Sequence, residues 1–368
     1  MVHHKKTKKE KGKFMKNKIF LKGLFVIFAL LFCNAAFGNT PKKVFIIHSY
    51  ENGHICGQPQ EDGIIEAFQE SDLEIGKDVE FHYFYMDTKK TYTTPAEIEQ
   101  RARSALEKVK EIKPDVVLVL DDNAVKTVMM PLIGSDIQVV FCGMNGQPED
   151  YSKKKHFMDS RRKPGGNVTG IYEKLYLVRS LGVMKAVLPD LKKVLGITDY
   201  SPTGNAITNQ FKKEIEEENP PVAFELVRVK DFAEYKKVIS RVNEDHEIGA
   251  IYPAALSLKT PEGKTYAAPD IFRWTIKNCD KPGMALNYFF AKLGIFGGAA
   301  VDFKAMGHQA GTKAVKIIKG SRAGDIPIED ADKYAIVFNL CRAKELGINI
   351  PFEILGAADF VYEEIILK

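Results

Sequence analysis

Val116-Val117-Leu118-Val119-Leu120 runs without a break into Asp121-Asp122-Asn123. An uninterrupted, valine-rich apolar run reads as a strand buried on both faces, the habit of a parallel sheet covered by helices. The change to acidic and amide side chains marks the carboxyl end of that strand. In open parallel sheets, ligands bind outside such ends. Upstream, 95–111 predicts an amphipathic helix with Ile98, Ala102, Ala105, Leu106 and Val109 on one side. Before it come a strand-like Val79–Met86, a helix over 59–70 with Ile64, Ile65 and Phe68 inward, and the run Val44-Phe45-Ile46-Ile47. Downstream, a helix to Met130 leads to Ile137-Gln138-Val139-Val140-Phe141.

The alternation then restarts. The turn Pro164-Gly165-Gly166-Asn167 is followed by a helix through Val187. Strands are expected at 194–198, 222–229 and 248–252, helices at 204–218, 231–243 and 269–279, and a further apolar stretch at Met284-Ala285-Leu286. Two α/β units in tandem follow, each a Rossmann-like lobe with a parallel sheet. The polar and aromatic residues at the strand ends are the candidate ligand-binding set: Ser49, Tyr50, Asp121, Asp122, Asn123, Asn145, Tyr200, Ser201, Tyr252, Asn287 and Tyr288, with Asp302 after Gly297-Gly298-Ala299-Ala300-Val301. Two lobes facing each other across these ends make a cleft, and domain interfaces favour small-molecule sites. An aspartate at a helix start serves as an N-cap, whereas paired carboxylates with separated pKa values do acid–base chemistry. Adjacent residues at a turn point apart, so one of Asp121 and Asp122 is expected to cap and the other to face the cleft. Asp302 has the same two readings. Trp274 shares a helical pattern with Ile271 and is expected in the core.

The first 38 residues have a separate purpose. Lysines 16, 18 and 22 precede Leu24-Phe25-Val26-Ile27-Phe28-Ala29-Leu30-Leu31-Phe32, and small residues follow in Ala35-Ala36-Phe37-Gly38. Basic flank, short apolar core and small-residue exit are the pattern of a secretory signal peptide. The run falls well short of the roughly 20 apolar residues of a spanning helix. Cleavage after Gly38 and a periplasmic product are expected. Lipid attachment at Cys33 is disfavoured, because Phe32 stands where a small residue is wanted. Met15 reads as an alternative start to Met1. Residues 1–38 hold nine lysines and one glutamate, so the whole-chain charge of +5 leaves 5 − 8 = −3 for the rest. That sign argues against nucleic acid as a partner, and the basic residues 153–155 and 161–163 read as a solvated loop.

Motifs for chemistry are missing from the sequence. Neither G-x-G-x-x-G nor G-x-x-x-x-G-K-[ST] occurs, nor G-x-S-x-G, so catalytic residues and cofactors are not expected. His48, His54 and Cys56 match no standard zinc spacing, and no metal is expected. Cys56, Cys142, Cys279 and Cys341 allow three disulfide pairings that sequence does not choose among. Cys142 and Cys341 lie in or beside apolar runs, where a buried thiol is the plain reading. Asn167-Val168-Thr169 is formally a glycosylation sequon.

Pro164-Gly165-Gly166-Asn167-Val168-Thr169-Gly170, then Leu188-Pro189-Asp190-Leu191-Lys192-Lys193-Val194, resembles the substrate-binding proteins of ABC transporters, in the group that includes aromatic amino-acid binders. Val301-Asp302-Phe303, Gly307-His308-Gln309-Ala310-Gly311, Ile317-Ile318-Lys319-Gly320 and Asp325-Ile326-Pro327-Ile328 fit the same group. The resemblance implies a type I periplasmic-binding fold with discontinuous lobes, 39–170 plus 297–325 and 171–296 plus 326–368, that close by hinge motion. It implies a monomer that delivers a small aromatic or amine-bearing, amino-acid-like ligand to an ABC permease in the membrane. The alternatives are a sensory protein coupled to a receptor or kinase and, ranked low, a periplasmic hydrolase. Family members often carry a small hydroxyl residue where this chain has Asp121-Asp122-Asn123, and an acid there suits an amine better than a carboxylate.

Overall fold

The apolar runs become strands of one parallel sheet: β1 (Lys42–His48), β2 (Val79–Tyr85), β3 (Val116–Leu120) and β4 (Gln138–Met144). The computed structural model of the chain describes residues 40–254, 256–259 and 265–366. The expected signal segment, Cys33 and both candidate start methionines lie outside the described residues. A fifth strand, β5 (Val168–Tyr172), occupies residues where the sequence predicted a helix directly after the turn. It is short and carries Gly170, so no periodicity shows in the sequence. Pairing with β4 on one side and with β12 (Glu329–Asp330) on the other fixes it as a strand. The sheet order is β12-β5-β4-β3-β1-β2.

Alternation within each strand fills both faces. Val44, Ile46, Leu118, Leu120, Val140 and Cys142 pack on one side with Ile64 and Phe68 of α1 (Gly57–Gln69). Phe45, Ile47, Val117, Val119, Val139 and Phe141 pack on the other with Ala102, Ala105 and Val109 of α2 (Pro95–Ile112). Helix α2 starts with a full capping box between Thr94 and Glu97, which satisfies two orphan backbone donors. Helix α3 leaves β3 at Asp121–Ala124, passes through a π-helical stretch Val125–Met129 and ends at Met130–Leu132. Two later helices of this lobe are α4 (Pro148–Lys154) and α10 (Phe303–Ile318). Helix α10 lies against α1 at very close range: a Cβ on Gly307 would sit 2.1 Å from the Gln60 carbonyl oxygen.

The second lobe is built on β6 (Lys193–Asp199), flanked by β7 (Ala223–Val229) and β8 (Ile248–Pro253), all parallel. Its helices are α5 (Leu177–Val187), α6 (Pro202–Glu217), α7 (Phe232–Glu244), α8 (Ala268–Asn278) and α9 (Tyr288–Lys292). A small ribbon, β9 (Leu258–Lys259) with β10 (Thr265–Tyr266), pairs antiparallel beside it. Parallel bridges from Ile251 to Gly283, Met284 to Gly297 and Asn287 to Val301 carry the sheet on to β11 (Gly297–Val301). There β13 (Tyr334–Asn339) pairs antiparallel with β11, and β14 (Phe360–Tyr362) parallel with β13.

These pairings move the expected lobe boundaries. Residues 297–301 were expected with the first lobe and pair with β13 in a three-stranded sheet that isolated bridges link to the second lobe. Glu329–Asp330 were expected in the second lobe and extend the first sheet. The chain therefore crosses at 173–176, at 302 and at 331–333. The first crossing is tied to α6: Gln210 accepts from Leu175 N at 2.6 Å and donates to Glu173 O at 3.1 Å, and Glu214 accepts from Val178 N at 2.9 Å. Tyr176, at φ +53°, donates its hydroxyl to Ala331 O on the third crossing and packs against Tyr334.

The PGGNVTG string has a structural explanation. Asn167 is buried and bonds Leu132 O, Ile137 O and Gly134 N, while Thr169 donates to Ile326 O. Asn167 is thus a loop-locking residue with its amide inside the protein. Cys56, Cys142, Cys279 and Cys341 are all free thiols, Cys142 and Cys279 buried and the other two partly so. Trp274, expected in the core, is half-buried and packs edge-on against Phe232 at 5.7 Å.

Candidate functional site

The carboxyl ends of β1, β3, β4 and β5 converge on one wall. Ser49 is fully buried and entirely occupied with the backbone: its Oγ donates to Leu120 O at 2.7 Å and accepts from Ala124 N at 2.8 Å. Ser49 thus takes the helix-start donor that one of the two aspartates was expected to take. The N-cap position of α3 is Leu120, with no side-chain cap. The expected split between a capping and a cleft-facing aspartate is corrected accordingly. Asp121 instead adopts φ +66°, a left-handed conformation that Asp and Asn tolerate better than most residues. Its carboxylate turns toward Gln60 and Gly143. Gln60 Nε2 donates to Asp121 Oδ1 at 3.3 Å, and Asp121 Oδ2 has no hydrogen-bond partner. A Cβ on Gly143, itself at φ +74°, would stand 3.0 Å from Asp121 Oδ1. The glycine therefore leaves room for that carboxylate.

Asp122 accepts from the Tyr151 hydroxyl at 3.3 Å, and Asn145 Nδ2 donates to Glu173 Oε2 at 3.3 Å. Asp121, Asp122 and Glu173 are 4%, 7% and 4% exposed. Among the described residues none of the three forms an ion pair within 4.0 Å. Burial pushes the Asp121 carboxyl up to about 7; the Lys89 ammonium pulls it down and the Asp122 carboxylate adds to the rise. Burial, reinforced by Asp121 and Asp122, holds Glu173 well above the ordinary carboxyl range. Ionised carboxylates are disfavoured in low dielectric and beside like charge. Tyr50 is buried beneath Lys89, whose Nζ sits 3.9 Å from the ring centroid, with the His54 ring at 4.3 Å on another side. Burial raises the Tyr50 hydroxyl well above its usual value, and Asp121, Cys56, Asp122 and Glu173 add to it. His54 is lowered to about 3 by burial, Lys89 and His48, so it stays neutral at physiological pH. Asn123 donates to Thr88 at 2.8 Å, and Thr88 to Ser49 O at 2.6 Å, binding the loop after β2 to this wall.

The second wall uses its polar residues differently. Ser201 accepts from Gly204 N at 3.0 Å, Asn287 from Phe290 N at 3.0 Å and Asp302 from Ala305 N at 3.0 Å, each an N-cap. Of its two readings, Asp302 has the cap. Tyr200 is 52% exposed under the Arg228 guanidinium at 3.9 Å. Tyr288 stacks on Phe360 at 4.6 Å, and its hydroxyl is raised by burial and then by Asp302, Tyr362 and Cys56. Tyr252 is fully buried against Phe211, with no partner for its hydroxyl. Burial raises that hydroxyl, and Glu214 and Glu173 add to the rise.

The structure thus brings Tyr50, Asp121, Asp122 and Asn145 together. It assigns Ser49, Asn123, Ser201, Asn287 and Asp302 to backbone or loop bonds, and leaves Tyr200 at an open rim. Glu173, Gln60, Tyr151 and Lys89 join the first wall without having been singled out from the sequence. Glu173 follows a strand that periodicity did not reveal, and Gln60 looks like any polar helix residue. Glu173 had one signal, its place between Tyr172 and a helix start. No cluster of three or more His, Cys, Asp or Glu among the described residues is arranged to hold a metal ion, and no helix among them is long and apolar enough to cross a membrane.

Comparison with known proteins agrees with this architecture. A protein described as a tyrosine-binding protein from Clostridioides difficile (strain R20291) is 25% identical over 192 residues, 51% of this chain. The match spans about half, 52%, of that relative's length. Among solved structures, the ABC domain in complex with L-Trp from Streptococcus pneumonia superposes with a TM-score of 0.63 at 18% identity, over 86% of this chain and 99% of that one. The ligand-free, open structure of a substrate binding protein with adhesive properties from Clostridium difficile gives 0.67 at 17% identity, over 88% and 100%. At these identities the likeness is one of fold, the two-lobed type I periplasmic-binding architecture. The family described as ABC transporter substrate binding protein matches residues 54–362, and the chain belongs to that family.

Proposed function

We propose that this chain is an extracytoplasmic solute-binding protein that closes its lobes on a small aromatic or amine-bearing ligand and presents it to an ABC permease. The observation that carries the reading is Asp121: a buried carboxylate with one unpartnered oxygen, at the carboxyl end of a central strand, where ligands of parallel sheets bind. Asp122, Asn145 and Tyr50 surround the ligand on the first wall. Tyr200, Tyr288, Ser201, Asn287, Asp302 and Tyr252 belong to the second. Ser49 and Asn123 shape the first wall from behind. The three crossings serve as the hinge. The chain performs no chemistry: it offers recognition and closure. Export follows cleavage after Gly38, and the mature protein is a monomer in the periplasm.

A thermal-melt screen of the purified mature protein against amino acids, aromatic amines, polyamines and aromatic acids tests the reading. Ligand bound only by the folded state raises stability by about 2.7 kcal/mol at a hundredfold excess over Kd. At least one compound is expected to raise the melting temperature in a saturable way. Small-angle scattering is then expected to show a more compact particle with that compound. Consumption of the compound by the protein would overturn the reading in favour of an enzyme.

A further inference from the structure

We infer that Asp121, Asp122 and Glu173 form a cation-specific subsite, which selects an organic ammonium ion that lacks a neighbouring carboxylate. The inference rests on the solute-binding reading and narrows its ligand. Three strand ends bring the carboxylates together. Leu120 pairs with Cys142 in β4, so Asp121 stands beside Gly143. Met144 pairs with Tyr172 in β5, and Glu173 N donates to Met144 O at 3.1 Å, so Glu173 stands beside Asn145. Tyr151 holds Asp122 from α4.

Two buried atoms in this group have no partner, Gln60 Oε1, an acceptor, and Asp121 Oδ2, an acceptor once the carboxyl is ionised. An unmade bond at a buried acceptor is costly, and a donor from a ligand removes that cost. The complement of two vacant acceptors among three acids is an ammonium group with its several N–H bonds. Of the cations, Lys89 lies over the Tyr50 ring, and Arg228, on the second lobe, lies over Tyr200 and donates to Asp199 O and to Asn205, its Nε without a partner. An α-amino acid seated by its ammonium would bring its own carboxylate beside the acids that this ammonium ionises on binding, and like charges at short range in low dielectric repel strongly. A decarboxylated aromatic amine brings the same ring and the same ammonium without that repulsion.

The test is calorimetric titration of the full mature chain with tyramine, tryptamine and putrescine, against tyrosine, tryptophan and 4-hydroxyphenylpropionate. At least one amine is expected to bind, and tyramine and tryptamine to bind at least tenfold tighter than their parent amino acids. Asp121→Asn and Glu173→Gln are expected each to weaken the amine at least tenfold while melting no lower than the unaltered protein. Asparagine tolerates the left-handed backbone at 121, which keeps that variant folded. Titration at pH 6.5 in buffers of different ionisation enthalpy is expected to show proton release on amine binding. The groups around Asp121 there are Lys89, Asp122, Glu173, Tyr50, Cys56, Cys142 and Gln60. If an amino acid binds tighter than its amine, or if both variants keep full amine affinity, the cation subsite is wrong and the solute-binding reading stands. If no amine binds, the subsite is wrong. If no compound in the wider melt screen binds either, the solute-binding reading fails with it.

Discussion

The two walls of the cleft carry similar polar residues and use them in opposite ways. On the second wall, Ser201, Asn287 and Asp302 accept from backbone N–H groups at helix starts. Their oxygens are satisfied before any ligand arrives. On the first wall, the helix-start donor is taken by Ser49, and Asp121 next to it is left with one oxygen unbonded. A single serine from the neighbouring strand therefore changes what two aspartates can do. Polar residues at strand ends are not equivalent: those that cap are part of the scaffold, and those relieved of capping are free for recognition.

The largest effect expected from this contrast concerns pH. Asp121 is raised to about 7 in the folded protein, against about 3.9 in an unfolded chain. Between those values the folded form holds a proton that the unfolded form has lost. The Asp121 share of the empty protein's stability therefore falls as pH rises from about 4 to about 7, and levels off above that. Glu173 is shifted in the same direction and adds to the fall. At about 1.4 kcal/mol per unit, Asp121 alone accounts for at most about 4 kcal/mol. Denaturant melts of Asp121→Asn are expected to remove the Asp121 share of this slope and to leave the variant more stable than the unaltered protein at pH 8. An unchanged slope would mean that the first wall is not strained by charge, and the contrast would fail.

Ser49→Ala comes next. It leaves the buried Ala124 N–H without an acceptor, which costs about 1–3 kcal/mol. Asp302→Ala removes an ordinary cap, worth about 1 kcal/mol, and is expected to leave ligand preference unchanged. If Asp302→Ala abolished binding at undiminished stability, the second wall would be a recognition wall too. The smallest effect is at the rim. Tyr200→Ala is expected to weaken an aromatic ligand by about fivefold, near 1 kcal/mol, with stability within about 0.5 kcal/mol. A loss of a hundredfold would place the ring of the ligand on Tyr200 rather than inside the cleft.

Much of the fold is legible in the residues because burial on both faces of a sheet leaves continuous apolar runs. Val44–Ile47, Val116–Leu120 and Val194–Thr198 all announce their strands. The string Val168–Tyr172 does not, since five residues with a glycine among them give no period to read, and only the ladder with β4 makes it a strand. Glu173 was missed for that reason. The lobe boundaries near 297 and 326 were displaced for a related one: Gly297–Val301 carries no mark of which sheet it joins, and its pairing with β13 decides.

The sequence by itself determined that this is a two-unit parallel α/β chain with polar and aromatic strand ends, because hydrophobic periodicity is local and survives without coordinates. It also determined the acidic pair at 121–122 that ends a buried strand. The tertiary structure decided which strand-end residues are free. That choice depends on Ser49 reaching Ala124 across 75 positions of chain, on Gln60 approaching Asp121 from a helix 61 positions away, and on Glu173 being carried to their side by a strand pairing. Hydrogen-bond competition of this kind is settled by distance in space, which spacing along the chain does not record.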